Sequence, residues 1–168
     1  MNPNRAVSID KVVVHMGVGE AGDRLVCAEK IISEITGNTP IRSVAKQTIP
    51  AFSLRKGMPL SCRVTLRGEI AEEFLTTSFN AVEKKLSSRA IDQQGNFSFG
   101  VEEHTDYPGQ SYDPKIGIFG LDVTVVVKRN GVRIARRRIQ TKKLPIKQRV
   151  VAEDTIAFLT EKYGVEVQ

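Results

Sequence analysis

The chain is sparing with the residue types that carry reaction chemistry. Its two cysteines, Cys27 and Cys62, stand far apart and outside any CxxC spacing. Neither a disulfide framework nor a zinc knuckle is indicated, and reduced thiols are expected. His15 lies in a β-branched run, KVVVHM, and His104 in EEHTDYPG, with no serine elbow, HExxH or paired-cysteine motif beside either. A strand-borne His15 fits two roles equally: a satisfied core histidine, or a donor to a phosphate or ribose on an exposed sheet face. Glu102, Glu103, His104 and Asp106 are metal-ligand types, but four polar residues entering a turn read as solvated, and no metal is expected there. One motif offers a rival function. Gly17-x-Gly19-x-x-Gly22, after a strand and before a helix, matches the dinucleotide-binding fingerprint of an NAD(P) enzyme. The fingerprint needs an acid at the end of a second parallel strand about 20 residues on. The chain supplies Glu34 inside a helix and then TGNTPIRSV, with only Arg42 as a conceivable phosphate ligand. A tight strand-to-helix turn is the simpler reading, so no cofactor and no enzymatic activity are expected.

What the chain has in quantity is positive charge. Its 168 residues carry 25 Lys and Arg against 19 Asp and Glu, a net +6 with a pI near 9.5, which favours a polyanionic partner. Ten of the basic residues fall between Lys128 and Arg149, where no acid occurs. The remainder of the chain is therefore mildly acidic, at −4. Like charges at this density repel one another until a counter-charge arrives, which marks an interaction element for nucleic acid. A membrane surface would require an apolar helix face; Val132, Ile134, Ile139, Leu144 and Ile146 do not make one, and Pro145 would break it. No apolar run is long enough to span a bilayer, and the start, MNPNRAVSIDK, lacks the apolar core of a signal peptide. A cytoplasmic protein with no membrane partner is expected. Aromatic residues are 6% and tryptophan is absent, which argues against a binder working by base stacking and suits structured RNA.

The elements that must position these residues can be read from periodicity. Lys11–Met16 reads as a strand, and Leu25, Ala28, Ile32 and Ile35 recur on one side of a helix with Asp23 as N-cap and Gly37 as stop. Pro40–Ala45 suggests a short strand, and KQTIPAFSLRKGMP (residues 46–59) a mobile basic loop. In LSCRVTLR, Leu60, Cys62, Val64 and Leu66 alternate with Ser61, Arg63, Thr65 and Arg67, so the strand turns the latter set from the core. Glu69–Ser87 is predicted as an amphipathic helix. Asn96–Glu102 and Leu121–Lys128 are predicted strands, with Phe97 and Phe99 in the core. Asn130-Gly131 is a hairpin signal, leaving 132–138 as either a returning strand or a basic arm. A last helix is expected at about 152–163, ending at Gly164. The expected fold class is α+β: one domain over 1–168, an antiparallel or mixed sheet with helices packed on one face, and a basic C-terminal extension over 128–149 before the last helix.

Six strings resemble, in order, the ribosomal protein family that binds 5S ribosomal RNA, the universal "protein five" family of the large subunit. They are VVVHMGVGE, ITGNTP, KQTIPAFSLRKGMP, CRVTLRG, GNFSFGVEEHTDYPGQSYDP and GLDVTVVVKR. The resemblance covers nearly the whole chain and is closest to the archaeal and eukaryotic branch. It implies a protein of the central protuberance that holds 5S rRNA against its sheet, links it to large-subunit rRNA and touches neighbouring ribosomal proteins. The family's first-strand asparagine falls at His15, its glutamine after the turn glycine at Asn38, and its threonine is kept as Thr65. The rRNA-binding residues so implied are His15, Asn38, Thr39, Arg42, Arg63, Thr65 and Arg67, joined by Arg129, Arg133, Arg136, Arg137, Arg138, Lys142 and Lys143 of the basic segment. Lys46, Gln47, Arg55 and Lys56 match the family's loop toward the peptidyl-site tRNA.

Overall fold

The computed structural model describes residues 5–114 and 116–168. Residues 1–4, part of the start read for a signal segment, and Lys115 of the turn-rich stretch lie outside the described residues. Five strands, β1 (Val7–Gly17), β2 (Ile41–Val44), β3 (Pro59–Leu66), β5 (Phe97–Val101) and β6 (Leu121–Arg129), form an antiparallel sheet in the order β2-β3-β1-β6-β5. Two short strands, β4 (Lys85–Leu86) and β7 (Glu166–Val167), make a separate parallel pair. The helices are α1 (Asp23–Thr36), α2 (Glu69–Ala81), α3 (Arg133–Arg136) and α4 (Ala152–Tyr163). This is the α+β class expected. Two compact units are distinguishable: one spans Val13–Leu66 and Phe99–Thr124, the other the chain up to Val12 with Arg67–Ser98 and Val125–Gln168.

In the first unit, β3 alternates over most of its length: Cys62, Val64 and Leu66 are buried while Arg63 and Thr65 are exposed. Ser61, read as turned outward, is buried as well, at the point where the ladder sets it opposite Ser43. β2 pairs with β3 in register Ile41 to Arg63 and Arg42 to Cys62. Residues paired across an antiparallel ladder share a face. α1 covers the buried face with Leu25, Ala28, Ile31, Ile32 and Thr36. Asp23, expected as its N-cap, is instead its first helical residue behind Gly22, where its charge still suits the helix dipole. Residues 46–59 carry their own narrow ladder. Ala45 N–H donates to Met58 O and Gly57 N–H to Ala45 O, both at 2.9 Å, and Ile49 and Leu54 exchange bonds around a 3-10 turn at Pro50–Phe52. His104, expected among solvated turn residues, is buried: it accepts the Phe119 N–H at Nδ1 (3.3 Å), and its own backbone N–H donates to Phe119 O (2.9 Å).

The second unit is built around Phe79, whose ring meets Phe97 at 6.2 Å and Tyr163 at 5.2 Å between centroids. Phe97 is buried; Phe99, two residues along β5, is half-buried. The helix predicted over Glu69–Ser87 stops at Ala81. Glu83 and Lys84 adopt left-handed φ values of 54° and 58°, which turn the chain so that Leu86 is buried in β4. There the Lys84 and Leu86 carbonyls accept N–H groups from Glu166 and Gln168. A strand partner far along the chain, Glu166 for Lys85, overrides the helical period, which sequence windows cannot register. Residues 132–138 are neither of the two forms read: Arg133–Arg136 make a single helical turn. α4 has the bounds expected and ends on Gly164 in the left-handed region.

The turn Asp92–Asn96 is fixed by a close approach. Gly95 has φ 75°, and a Cβ on it would lie 2.5 Å from Thr155 Oγ1 and 2.6 Å from Val150 Cγ1. Its carbonyl accepts the Thr155 hydroxyl at 2.9 Å. Gly95→Ala is therefore expected to combine left-handed strain with overpacking and cost about 2–4 kcal/mol. Urea unfolding of the two proteins measures this; a loss under about 0.5 kcal/mol, the level of an ordinary surface change, would show that the contact is soft.

Candidate nucleic-acid interface

The sites expected on the first unit separate onto two sides. Arg63 and Thr65 project from β3 away from α1, with the exposed Ile41 opposite Arg63. His15 is half-exposed on β1, between the buried Val14 and Met16, and its Nδ1 lies 3.5 Å from Asp122 Oδ2 on β6. Of its two readings, the exposed-face one fits this placement. Asp122 and Thr124 alternate with buried valines and are exposed. This face thus presents hydroxyls, a guanidinium, an imidazole and one carboxylate, a mixed polar set suited to ribose and phosphate.

Arg42 is placed differently. Its ladder partner is the buried Cys62, and its guanidinium forks onto the Glu29 carboxylate of α1, with Nη2 donating to Oε2 at 2.9 Å. The hydrogen bond from Arg42 holds the Glu29 carboxyl below its usual range, with partial burial opposing it. Burial, with the charge of Glu29, pushes the Cys62 thiol up to about 11, which leaves it neutral and a poor nucleophile. Asn38 turns its amide back on the Thr36 carbonyl at 3.1 Å, and Thr39 is exposed beside it. Arg67, one residue past β3, is exposed. In the 46–59 loop, Lys46, Gln47, Arg55 and Lys56 are all exposed, with Phe52 at its tip 73% exposed.

The second unit carries the basic segment, and three of its cations are held in place. Asp10 of β1 accepts Lys128 Nζ at 2.8 Å and Arg136 Nη1 at 3.0 Å. Arg129 spends its guanidinium on Asp154 (2.8 Å) and on the Arg149 carbonyl (3.1 Å), with a longer contact to Lys147 O. Arg129 is therefore a brace between β6, the returning segment and α4, while Arg136 is tethered at its head. Arg133, Arg137, Arg138, Lys142, Lys143, Lys147 and Arg149 are exposed and make no carboxylate pair among the described residues. Asp10 was not among the expected site residues, because nothing in the sequence places a lone strand acid next to β6.

The rival sites lack the geometry they need. Val18 and Gly19 N–H groups, which a dinucleotide phosphate would have to meet, both donate to Leu60 O, at 3.2 and 2.9 Å. β2 lies at the sheet edge, separated from β1 by β3, where the fingerprint requires the next strand alongside. Around His104, Glu103 accepts the Thr105 hydroxyl at 3.0 Å, and no three ligand-type side chains converge among the described residues. What remains is a polar sheet face, a basic loop and a braced cationic segment, features of a surface that meets structured nucleic acid.

Known proteins match this chain from end to end. Residues 2–55 match the family model described as ribosomal protein L5, and residues 59–158 match the model of the C-terminus of that same ribosomal family. The chain is 77% identical, over all of both chains, to the large ribosomal subunit protein uL5 of Methanospirillum hungatei. It is 64% identical to that of Methanoregula boonei over 98% of this chain and 99% of the relative, and 58% identical to that of Methanococcoides burtonii over 99% of each.

The Asp10 tether has a pH signature. The hydrogen bond from Lys128 above all, opposed by burial and reinforced by Arg136, holds the Asp10 carboxyl below its ordinary 3.8. Its contribution to stability is therefore complete above that ordinary value and lost as pH falls through the depressed one. With two partly exposed partners the contribution is about 1 kcal/mol. Asp10→Asn is expected to lose that amount at neutral pH and to flatten the stability profile below about pH 4. Identical acid limbs in wild type and variant, by denaturant titration, would exclude the tether.

Proposed function

The chain belongs to the ribosomal protein L5 family, and from that membership we propose that it is a non-enzymatic structural constituent of the large ribosomal subunit, acting in translation in the cytoplasm. It binds 5S rRNA and large-subunit rRNA in the central protuberance and contacts neighbouring ribosomal proteins. The observation that carries this reading is the 77% identity to a large-subunit protein over the full length of both chains. The polar face with His15, Arg63 and Thr65 supports fitting to an RNA surface through ribose and phosphate groups. The seven cations of the basic segment that have no carboxylate partner among the described residues support charge neutralisation of the rRNA backbone. The exposed Lys46, Gln47, Arg55 and Lys56, on a loop stiffened by its own ladder, support an approach to the peptidyl-site tRNA.

The two layers of binding separate in a salt titration with transcribed 5S rRNA. If all seven of those cations meet phosphates, log K falls against log salt with a slope of about −6, at −0.9 per duplex-like contact. Replacing Arg137, Arg138, Lys142 and Lys143 together with glutamine is expected to make the slope shallower by about 3 to 4, with the tethers of Arg129 and Arg136 untouched. Thr65→Ala is expected to cost about 1 kcal/mol on 5S rRNA and little on an unrelated duplex. An unchanged slope would remove the basic segment from the interface, and equal Thr65 losses on both RNAs would remove the sheet face. Absence of any preference for 5S rRNA would overturn the reading as a whole.

A further inference from the structure

Between the β6 end, the Asp92–Asn96 turn and the returning basic segment lies a cleft of about 610 Å³. Its size falls in the range of about 300–1,000 Å³ of small-ligand sites. Its lining is chemically distinctive. It holds cations, side-chain amides and aliphatic walls, and no carboxylate among the described residues. Three of its four side-chain amides, Gln93, Gln94 and Asn96, come from the turn that Gly95 locks against Val150; the fourth, Gln148, donates to the Asn130 carbonyl at 2.9 Å. Asn96 Oδ1 accepts the Val127 N–H at 3.3 Å. Only the oxygen of the amide can meet an N–H, so the Nδ2 end is fixed as the one presenting donors. Arg129 Nε–H is buried at the cleft with no acceptor among the described residues. Arg149 supplies unpaired charge at the margin, and Arg136, whose Nη1 is held by Asp10, brings its remaining N–H donors.

We propose that this cleft receives one unstacked nucleotide of the bound RNA, with its phosphate on Arg136 and Arg149 and its base edge on the amides of Gln93, Gln94 and Asn96. The inference rests on the RNA-binding reading and gives it a base-contacting site. A bare anion would use the two arginines alone. The three turn amides beside aliphatic walls match a ligand with a planar, hydrogen-bonding, partly apolar body, which a nucleobase is and a phosphate is not. No aromatic ring lines the cleft among the described residues, so the base face rests on the valine walls and a guanidinium plane, a stacking partner bases accept.

The test is an amide-resolved NMR titration of the full chain with GMP, AMP, CMP and UMP in turn, and separately with inorganic phosphate. Nucleotides are expected to move Gln93, Gln94, Asn96 and Val150 saturably, and phosphate to move only Arg136 and Arg149. Asn96→Asp keeps the acceptor for Val127 while removing the donors, and is expected to weaken nucleotide binding at least about tenfold; Gln94→Ala, on the exposed turn, is expected to weaken it several-fold. Identical shifts from phosphate and nucleotides, or none at the turn, would overturn the base site. Cross-linking of 4-thiouridine-substituted 5S and large-subunit rRNA then distinguishes the source of the nucleotide. Cross-links to peptides containing residues 93–96 or 149–151 are expected. Bound RNA cross-linked only elsewhere would overturn the proposal and leave the RNA-binding reading standing, whereas failure of both RNAs to bind would strike that reading itself.

Discussion

Ten positive charges within 22 residues push one another apart, and in the second unit that repulsion is met at two carboxylates. Asp10 takes two cations at once, and Asp154 takes Arg129 while also receiving the Val151 N–H at 3.1 Å at the start of α4. Arg129 is the more deeply committed group, since its remaining contacts satisfy carbonyls of the segment that returns to α4. A guanidinium suits this work, because its planar fork meets several acceptors in one geometry where an ammonium would be a point charge. The brace thus ties the end of β6 to α4 and to the returning segment that borders the Gly95 turn and the cleft beside it.

Alternation and periodicity carried most of the elements. The exposed Arg63 and Thr65 on β3 were legible because period-2 patterning requires no knowledge of a partner strand, and α4 was legible because its apolar residues and the Gly164 stop agree. The failures share one cause. The early end of α2, the burial of His104 and the pairing of Arg42 with Glu29 each depend on a group distant in sequence or on an adjacent element, and no local window contains it.

The candidate site divides in the same way. Arg63 and Thr65 follow from alternation, and the cationic segment from counting charge. Which cations are spent internally does not follow from either, because Lys128, Arg129 and Arg136 look like their neighbours until Asp10 and Asp154 are placed. The turn amides are illegible in the sequence for a different reason. Gln93, Gln94 and Asn96 are uncharged and form no motif, and they gain meaning only when Gly95 brings them against Val150.

The parallel pairing of β4 with β7 sets an order of events during synthesis. All residues of the first unit have been made once Thr124 is joined, but β4 has no partner until Glu166 and Val167 exist. At translation rates of about 5–20 residues per second, the intervening stretch occupies roughly 2–8 s. Throughout that interval the sheet face bearing Arg63 and Thr65 belongs to a unit whose chain is complete, while the segment around Leu86 waits with its backbone unpaired. The nascent protein therefore passes through a stage in which every residue of the first unit has been joined while β4 still depends on residues to come.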